Sequence, residues 1–162
     1  MKSIAIAGLL LLASQIATGE AFESLTGIAP EMSVYVQPWQ EGCPASLEPE
    51  NLAREATERL RAAKIEVLDR HPATIRVEVT CLEVEAIDAR AVSVTVQFWQ
   101  PVRGKINDWN GSAPTWRAEE LLHAFGTERD AQGQTIRAAV SDLVDDFVRD
   151  YRQANSGKSP AR

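Results

Sequence analysis

The stretch Ile75-Arg76-Val77-Glu78-Val79-Thr80-Cys81 alternates apolar and polar side chains without a break. The stretch Val92-Ser93-Val94-Thr95-Val96-Gln97-Phe98-Trp99 repeats the pattern. Successive side chains of a strand point to opposite faces, so each run predicts a strand with one buried and one open face. Ile75, Val77, Val79 and Cys81 are expected inward in the first strand, and Val92, Val94, Val96 and Phe98 in the second. The phase slips at Leu82 and Val84, which predicts a bulge or the strand's end. Ile87-Asp88-Ala89-Arg90 predicts the turn between them.

Upstream, Ser33-Val34-Tyr35-Val36-Gln37 is short and rich in β-formers, predicting a strand that ends at Pro38-Trp39. Leu52, Ala56, Leu60 and Ala63 recur at helical spacing, predicting a helix to about Lys64 with Ser46 as capping hydroxyl and Pro49 in the first turn. Arg54, Glu55, Glu58, Arg59 and Arg61 fall mostly outside that stripe and form its solvated face. Ile65 to Leu68 predicts a short extended piece. Downstream, residues 101–114, bounded by Pro101 and Pro114, predict the longest irregular loop. A fourth strand is expected from Thr115 to about Phe125, less regular because Leu121 and Leu122 are adjacent. After a polar connector from Gly126 to Gly133, a closing helix is traced by Ile136, Val140, Leu143, Val144, Phe147, Val148 and Tyr151. Asp142, Asp145, Asp146, Arg149 and Asp150 lie outside its stripe.

The order β-α-(β)-β-β-β-α predicts an α+β fold, a two-layer sandwich whose mixed sheet carries two amphipathic helices on one face. The first β-α-β passage implies a right-handed crossover between parallel strands, and the later strands form an antiparallel meander. The domain is expected over residues 32–155, after a signal peptide at 1–21 and a linker at 22–31, and before a disordered tail at 156–162.

With 162 residues, 44% hydrophobic and 25% charged, the composition suits one folded domain and excludes a disordered chain. A net charge of −6 argues against nucleic acid as a partner. Lys2, the apolar run from Ile4 to Ala13 and the small residues Ala17, Gly19 and Ala21 predict export, with cleavage after Gly19 or Ala21. That run is shorter than the roughly twenty residues that cross a bilayer, so no membrane insertion is expected after cleavage. The periplasm or the exterior is the expected compartment, and disulfides persist there. Cys43 and Cys81, the only cysteines, are therefore expected to pair; a reactive thiol pair and two separately buried thiols are the alternatives. Parallel strands would bring both cysteines to one end of the sheet.

No Cys-x-x-Cys pair is present and His71 and His123 do not complete a ligand set, so neither a metal nor a cofactor is expected. Asp142, Asp145 and Asp146 lack the alternating oxygen ligands of a calcium loop and read as a solvated helix face. Gly-x-Ser-x-Gly, phosphate-loop and His-Glu-x-x-His motifs are absent, so no enzyme is expected. The candidate partner-binding residues are Trp99, Ile106, Trp109 and Trp116, on or beside the 101–114 stretch. Tryptophan buries a large area with few rotatable bonds and so anchors partners. Trp99 and Trp116 equally suit a role covering the sheet. Asn110-Gly111-Ser112 is both a glycosylation sequon and a turn signal. An exposed edge strand offers a further contact by strand addition. The expected role is a non-enzymatic interaction or accessory module with a protein partner in the cell envelope. The alternative is a small-ligand-binding or enzymatic domain with a pocket between the sheet and the 101–114 loop.

One helix ends Leu60-Arg61-Ala62-Ala63-Lys64-Ile65-Glu66-Val67, and the chain closes on Val144-Asp145-Asp146-Phe147-Val148-Arg149-Asp150-Tyr151-Arg152-Gln153-Ala154-Asn155. With a signal peptide, a short first strand and turn-linked strands, this layout resembles small exported bacterial α/β domains, among them the amino-terminal domain of TolB. The stretch from Val92 to Trp116, with Val94-x-Val96-x-Phe98-x-Gln100-x-Val102 and Thr115-Trp116, is similar to other exported families. The resemblance implies a periplasmic domain that acts through protein contacts in envelope assembly or transport.

Overall fold

The computed structural model describes residues 24–39, 42–104, 108–125 and 128–156; the expected signal peptide and the tail beyond Ser156 lie outside them. In chain order the elements are β1 (Glu31–Val36), α1 (Pro49–Ala62), β2 (Glu66–Val67), β3 (Thr74–Val84), a 3-10 turn (Glu85–Ile87), β4 (Ala89–Arg103), β5 (Asn110–Phe125) and α2 (Glu128–Asn155). The strands form one sheet in the order β2-β1-β3-β4-β5. β1 runs parallel to β2 and β3, while β3, β4 and β5 are antiparallel neighbours. Two helices on one face of this mixed sheet make an α+β two-layer sandwich.

The strand alternation decides which side is covered. Ile75, Phe98 and Trp116 stand in one row across β3, β4 and β5, and Val77, Val96 and Ala118 in the next. β1 extends these rows with Val34 and Val36. Onto this face α1 lays Leu52, Ala56 and Leu60, and α2 lays Ile136, Val140, Val144 and Phe147. Ile75, Val77, Val92, Val94, Val96 and Phe98 are fully buried. Truncating any one of the larger of these side chains to alanine would cost about 2–5 kcal/mol.

Cys43 and Cys81 form a disulfide with a Cα–Cα separation of 5.2 Å. The parallel pairing of β1 with β3 makes this possible: Val36 lies opposite Val77, so the loop after β1 emerges beside the later half of β3. Gly42 enters the bridge at φ +106°, and a Cβ there would lie 3.6 Å from the Cys81 carbonyl oxygen. Only glycine adopts that conformation without strain.

Several boundaries differ from the expectations, each for a physical reason. Residues 24–30 are fastened rather than a free linker. Leu25 is fully buried, Ser24 Oγ donates to the Thr115 carbonyl, and the Tyr151 hydroxyl donates to the Ile28 carbonyl. Asn155 completes the clasp, donating to the Leu25 carbonyl and accepting from the Gly27 N–H. Ser46 does not cap α1; the N-cap is Glu48, with Pro49 beginning the helix. α1 closes at Ala62, where Lys64 adopts φ +65° and the N–H groups of Lys64 and Ile65 donate to the carbonyls of Arg61 and Leu60. This is the left-handed C-terminal motif usually built on glycine. α2 begins at Glu128 and runs through Gly133. A Cβ at Gly133 would lie 2.6 Å from Ser46 Oγ, so the missing side chain lets the 43–47 loop pack against the helix. β3 continues past Leu82 to Val84 in unbroken register with β4; the phase slip marks apolar residues on the open face, not a bulge.

Candidate interaction surface

Within the 101–114 stretch, residues 101–103 and 110–114 form a paired arm rather than an irregular loop. Gln100 lies opposite Ala113, Pro101 opposite Ser112, Val102 opposite Gly111 and Arg103 opposite Asn110. Pairing of β3 with β4 begins at Thr74 and Trp99, so beyond Trp99 β4 has β5 as its sole described strand neighbour. An edge position tolerates proline, because the missing N–H faces away from the ladder. Pro101 and Pro114 therefore fit a strand that their presence argued against.

The arm is fixed at its base by a bulge. The register shifts between Phe98/Trp116 and Trp99/Pro114, leaving Thr115 unopposed. Gln100 Nε2 donates to Thr115 Oγ1 at 3.0 Å and to the Ser24 carbonyl at 3.2 Å, tying both strands to the segment before β1. At its far end the Gly104 N–H donates to the Trp109 carbonyl at 2.7 Å, and Arg103 meets Asp108 Oδ1 through Nε and a terminal nitrogen. That ion pair is largely exposed and contributes little stability.

The four candidate residues do not form one cluster. Trp109 is 53% exposed, and its ring lies across Gly111 so closely that a Cβ at 111 would sit 2.1 Å from it. Gly111 thus serves as the seat of an indole whose outer face meets solvent. Trp99 is half-buried on the open face; its Nε1 donates to Gln97 Oε1, and the Arg76 guanidinium lies 4.2 Å from its ring and 5.7 Å from that of Tyr35. Trp116 is only 5% exposed and belongs to the core. It packs edge-on against Phe147 at 5.3 Å and donates through Nε1 to Asp150 Oδ2 at 3.0 Å, so it is not a contact for a partner. Ile106 lies outside the described residues.

Asp150, expected on the solvated side of α2, is buried beside Trp116 and also accepts from Arg149 Nε. At the next residue of α2, burial pushes the Tyr151 phenol above its ordinary range. Asp142 and Asp145 are exposed, and Asp145 pairs with Arg59 across the two helices. His71 folds back on its own turn, its Nδ1 accepting from the Ala73 N–H at 3.1 Å. His123 is exposed with its ring edge-on to Phe125. Among the described residues no three His, Cys, Asp or Glu side chains gather as a metal site. Residues 101–103 and 110–114 extend the sheet as paired strand. A shallow groove of about 340 Å³ lies between the helices, lined by Glu55, Glu58, Arg59, Ala62 and Ser141.

A second surface was not singled out by residue from the sequence. On the open face Leu82 stands in a row with Ala91 and His123, and Val84 in a row with Ala89 and Phe125. Leu82, Ile87, Leu121 and Phe125 are the exposed apolar side chains of this end of the sheet, Leu121 being 73% exposed. The slip at Leu82 and the adjacent pair Leu121-Leu122 were its signals: both put an apolar residue where alternation requires a polar one.

No family model matches the chain, and no curated protein matches it. Among solved structures it is similar to a minor lipoprotein from Acinetobacter baumannii, with TM-score 0.46 and 15% identity, covering 78% of this chain and 92% of that one. A protein described as a lipoprotein from Caulobacter crescentus CB15 matches with TM-score 0.37 and 10% identity over 88% of this chain and 98% of that one. PelC from Paraburkholderia phytofirmans, a dodecamer, matches with TM-score 0.37 and 14% identity over 78% of this chain and 92% of that one. These values describe a remote likeness in layout. No helix among the described residues is long and apolar enough to cross a membrane.

Proposed function

We propose that the chain is an exported, non-enzymatic interaction module of the cell envelope, which meets a protein partner through the arm formed by β4 and β5. The observation that carries this is Trp109: a large aromatic side chain held out to solvent, seated on Gly111, on an arm fixed at its base by the Thr115 bulge. An anchor held in place before binding loses little rotamer freedom when a partner covers it. The Cys43–Cys81 disulfide suits an oxidising compartment, in keeping with the signal-like amino terminus. The resemblance in layout to the amino-terminal domain of TolB supports the same reading.

The test is capture from envelope extracts with the immobilised wild type and with Trp109→Ala. Trp109 lies outside the buried core, so the variant retains the wild-type circular dichroism. The expected result is a discrete envelope protein held by the wild type and lost with the variant. Identical capture by both, together with a thermal shift from a metabolite, would turn the assignment toward small-ligand binding.

A further inference from the structure

The two edges of the sheet are built differently. β2 is two residues long, too short to template another strand. β5 forms the opposite edge with sixteen residues, and no described strand pairs with its outer side. Its first part carries Pro114 and the Thr115 bulge, two of the devices by which natural edges block further pairing; charged side chains, here Arg117, Glu119 and Glu120, are another. From Arg117 to Phe125 it has neither proline nor bulge, so its ladder is continuous.

We infer that this segment pairs with the same segment of a second copy, antiparallel, about a two-fold axis at Leu121. This partner and edge are separate from the arm and stand whether or not the arm binds another protein. The argument rests on the complementarity of the segment with its own reverse. With Leu121 opposite Leu121 of the second copy, Arg117 falls opposite Phe125, Ala118 opposite Ala124, Glu119 opposite His123, and Glu120 opposite Leu122. No like charges face each other, and directly opposed side chains lie roughly 4.5–5.5 Å apart, close enough to interact. Registers about Glu119 or Glu120 would oppose two glutamates. A register about Ala118 would match Arg117 with Glu119 but run Leu121 and Leu122 onto Thr115 and Pro114, where the bulge and the missing N–H interrupt the ladder. The Leu121 register uses the whole segment free of proline and bulge and leaves none of its three charges opposite a like charge. It also brings the 73% exposed Leu121 and the half-exposed Phe125 of both copies onto one open face, where each covers part of the other's apolar patch.

The register makes a sharp prediction for cysteine trapping. Opposed Cα atoms in an antiparallel pair lie about 4.5–5.5 Å apart, within disulfide reach. Glu119 and its own counterpart would be offset by four residues, about 13 Å along the strand, and out of reach. Under mild oxidation, purified Leu121→Cys is expected to form a covalent dimer at least tenfold faster than Glu119→Cys. In sedimentation velocity, the wild type is expected to show a dimer that dissociates on dilution. Leu121→Lys, which sets two ammonium groups on the axis at a solvent-exposed site, is expected to sediment as monomer with an unchanged circular dichroism spectrum. A wild type that stays monomeric at high concentration would overturn the inference. So would a dimer untouched by Leu121→Lys, or equal trapping of both cysteine variants.

Discussion

Replacing Cys43 and Cys81 with serine removes a link across 38 positions of sequence. The closed loop contains α1, β2 and the first two-thirds of β3, so the unfolded chain regains the freedom of a long segment. In the chain-entropy description a loop of this length corresponds to about 13 cal/mol/K, or about 4 kcal/mol at 25 °C. The native geometry gives little reason to discount this, since a 5.2 Å Cα separation is well inside the range that disulfides span. For a domain of this size each kcal/mol moves the melting temperature by about 2–4 °C, so a drop of roughly 8–16 °C is expected for Cys43→Ser/Cys81→Ser. Urea titration should show a lower midpoint, with a larger share of the change on the unfolded side. The oxidised wild type is compared with the double variant and with the reduced wild type, using near-ultraviolet circular dichroism. A loss below about 1 kcal/mol in both would refute the reasoning, because the bridge would then not be restricting the 43–81 loop.

Other perturbations follow from single residues. Lys64→Gly should raise the melting temperature by about 2–4 °C, since relieving a left-handed lysine outweighs the added unfolded-state freedom by roughly 1 kcal/mol; a lower melting temperature would contradict the assigned helix end. Asp150→Ala should cost about 1–3 kcal/mol in chemical denaturation, because the buried Trp116 N–H loses its acceptor. The raised Tyr151 phenol favours its neutral form in the folded state. Its contribution is therefore complete below the ordinary tyrosine range near pH 10 and is lost as pH rises through the folded value. Wild type should lose stability above about pH 10 more steeply than Tyr151→Phe, and parallel alkaline melting curves would contradict this.

The layered fold was legible because its decisive strands bury one face only. Ile75 to Cys81 and Val92 to Phe98 carry that in their alternation, and the stripe from Ile136 to Tyr151 carries the closing helix. Local signals failed where the neighbour decides. Pro101 and Pro114 read as loop residues, yet an edge leaves their missing N–H unneeded. Gly133 read as a connector, yet its lack of a side chain admits the loop that carries Ser46. Asp150 read as solvated because its partner, Trp116, lies 34 positions away in sequence. Of the four aromatic and apolar candidates, the sequence placed Trp109 within the 101–114 stretch but could not separate it from Trp116, because residue type is alike and only the packing differs: Trp116 lies under α2 in the core, while Trp109 sits out at the end of the arm. The apolar patch was hidden for the opposite reason: Leu82 and Leu121 resemble core residues until the register assigns them to the face without helices.

The central claim, that the arm is the contact, is tested most directly by a photoreactive side chain placed in the living cell at Ser112 on the arm and, separately, at Glu58 on α1; both positions are exposed. A discrete crosslinked product is predicted from position 112, abolished when Trp109→Ala is added, with none from position 58. A product from position 58 alone, or one from 112 that persists without Trp109, would contradict it.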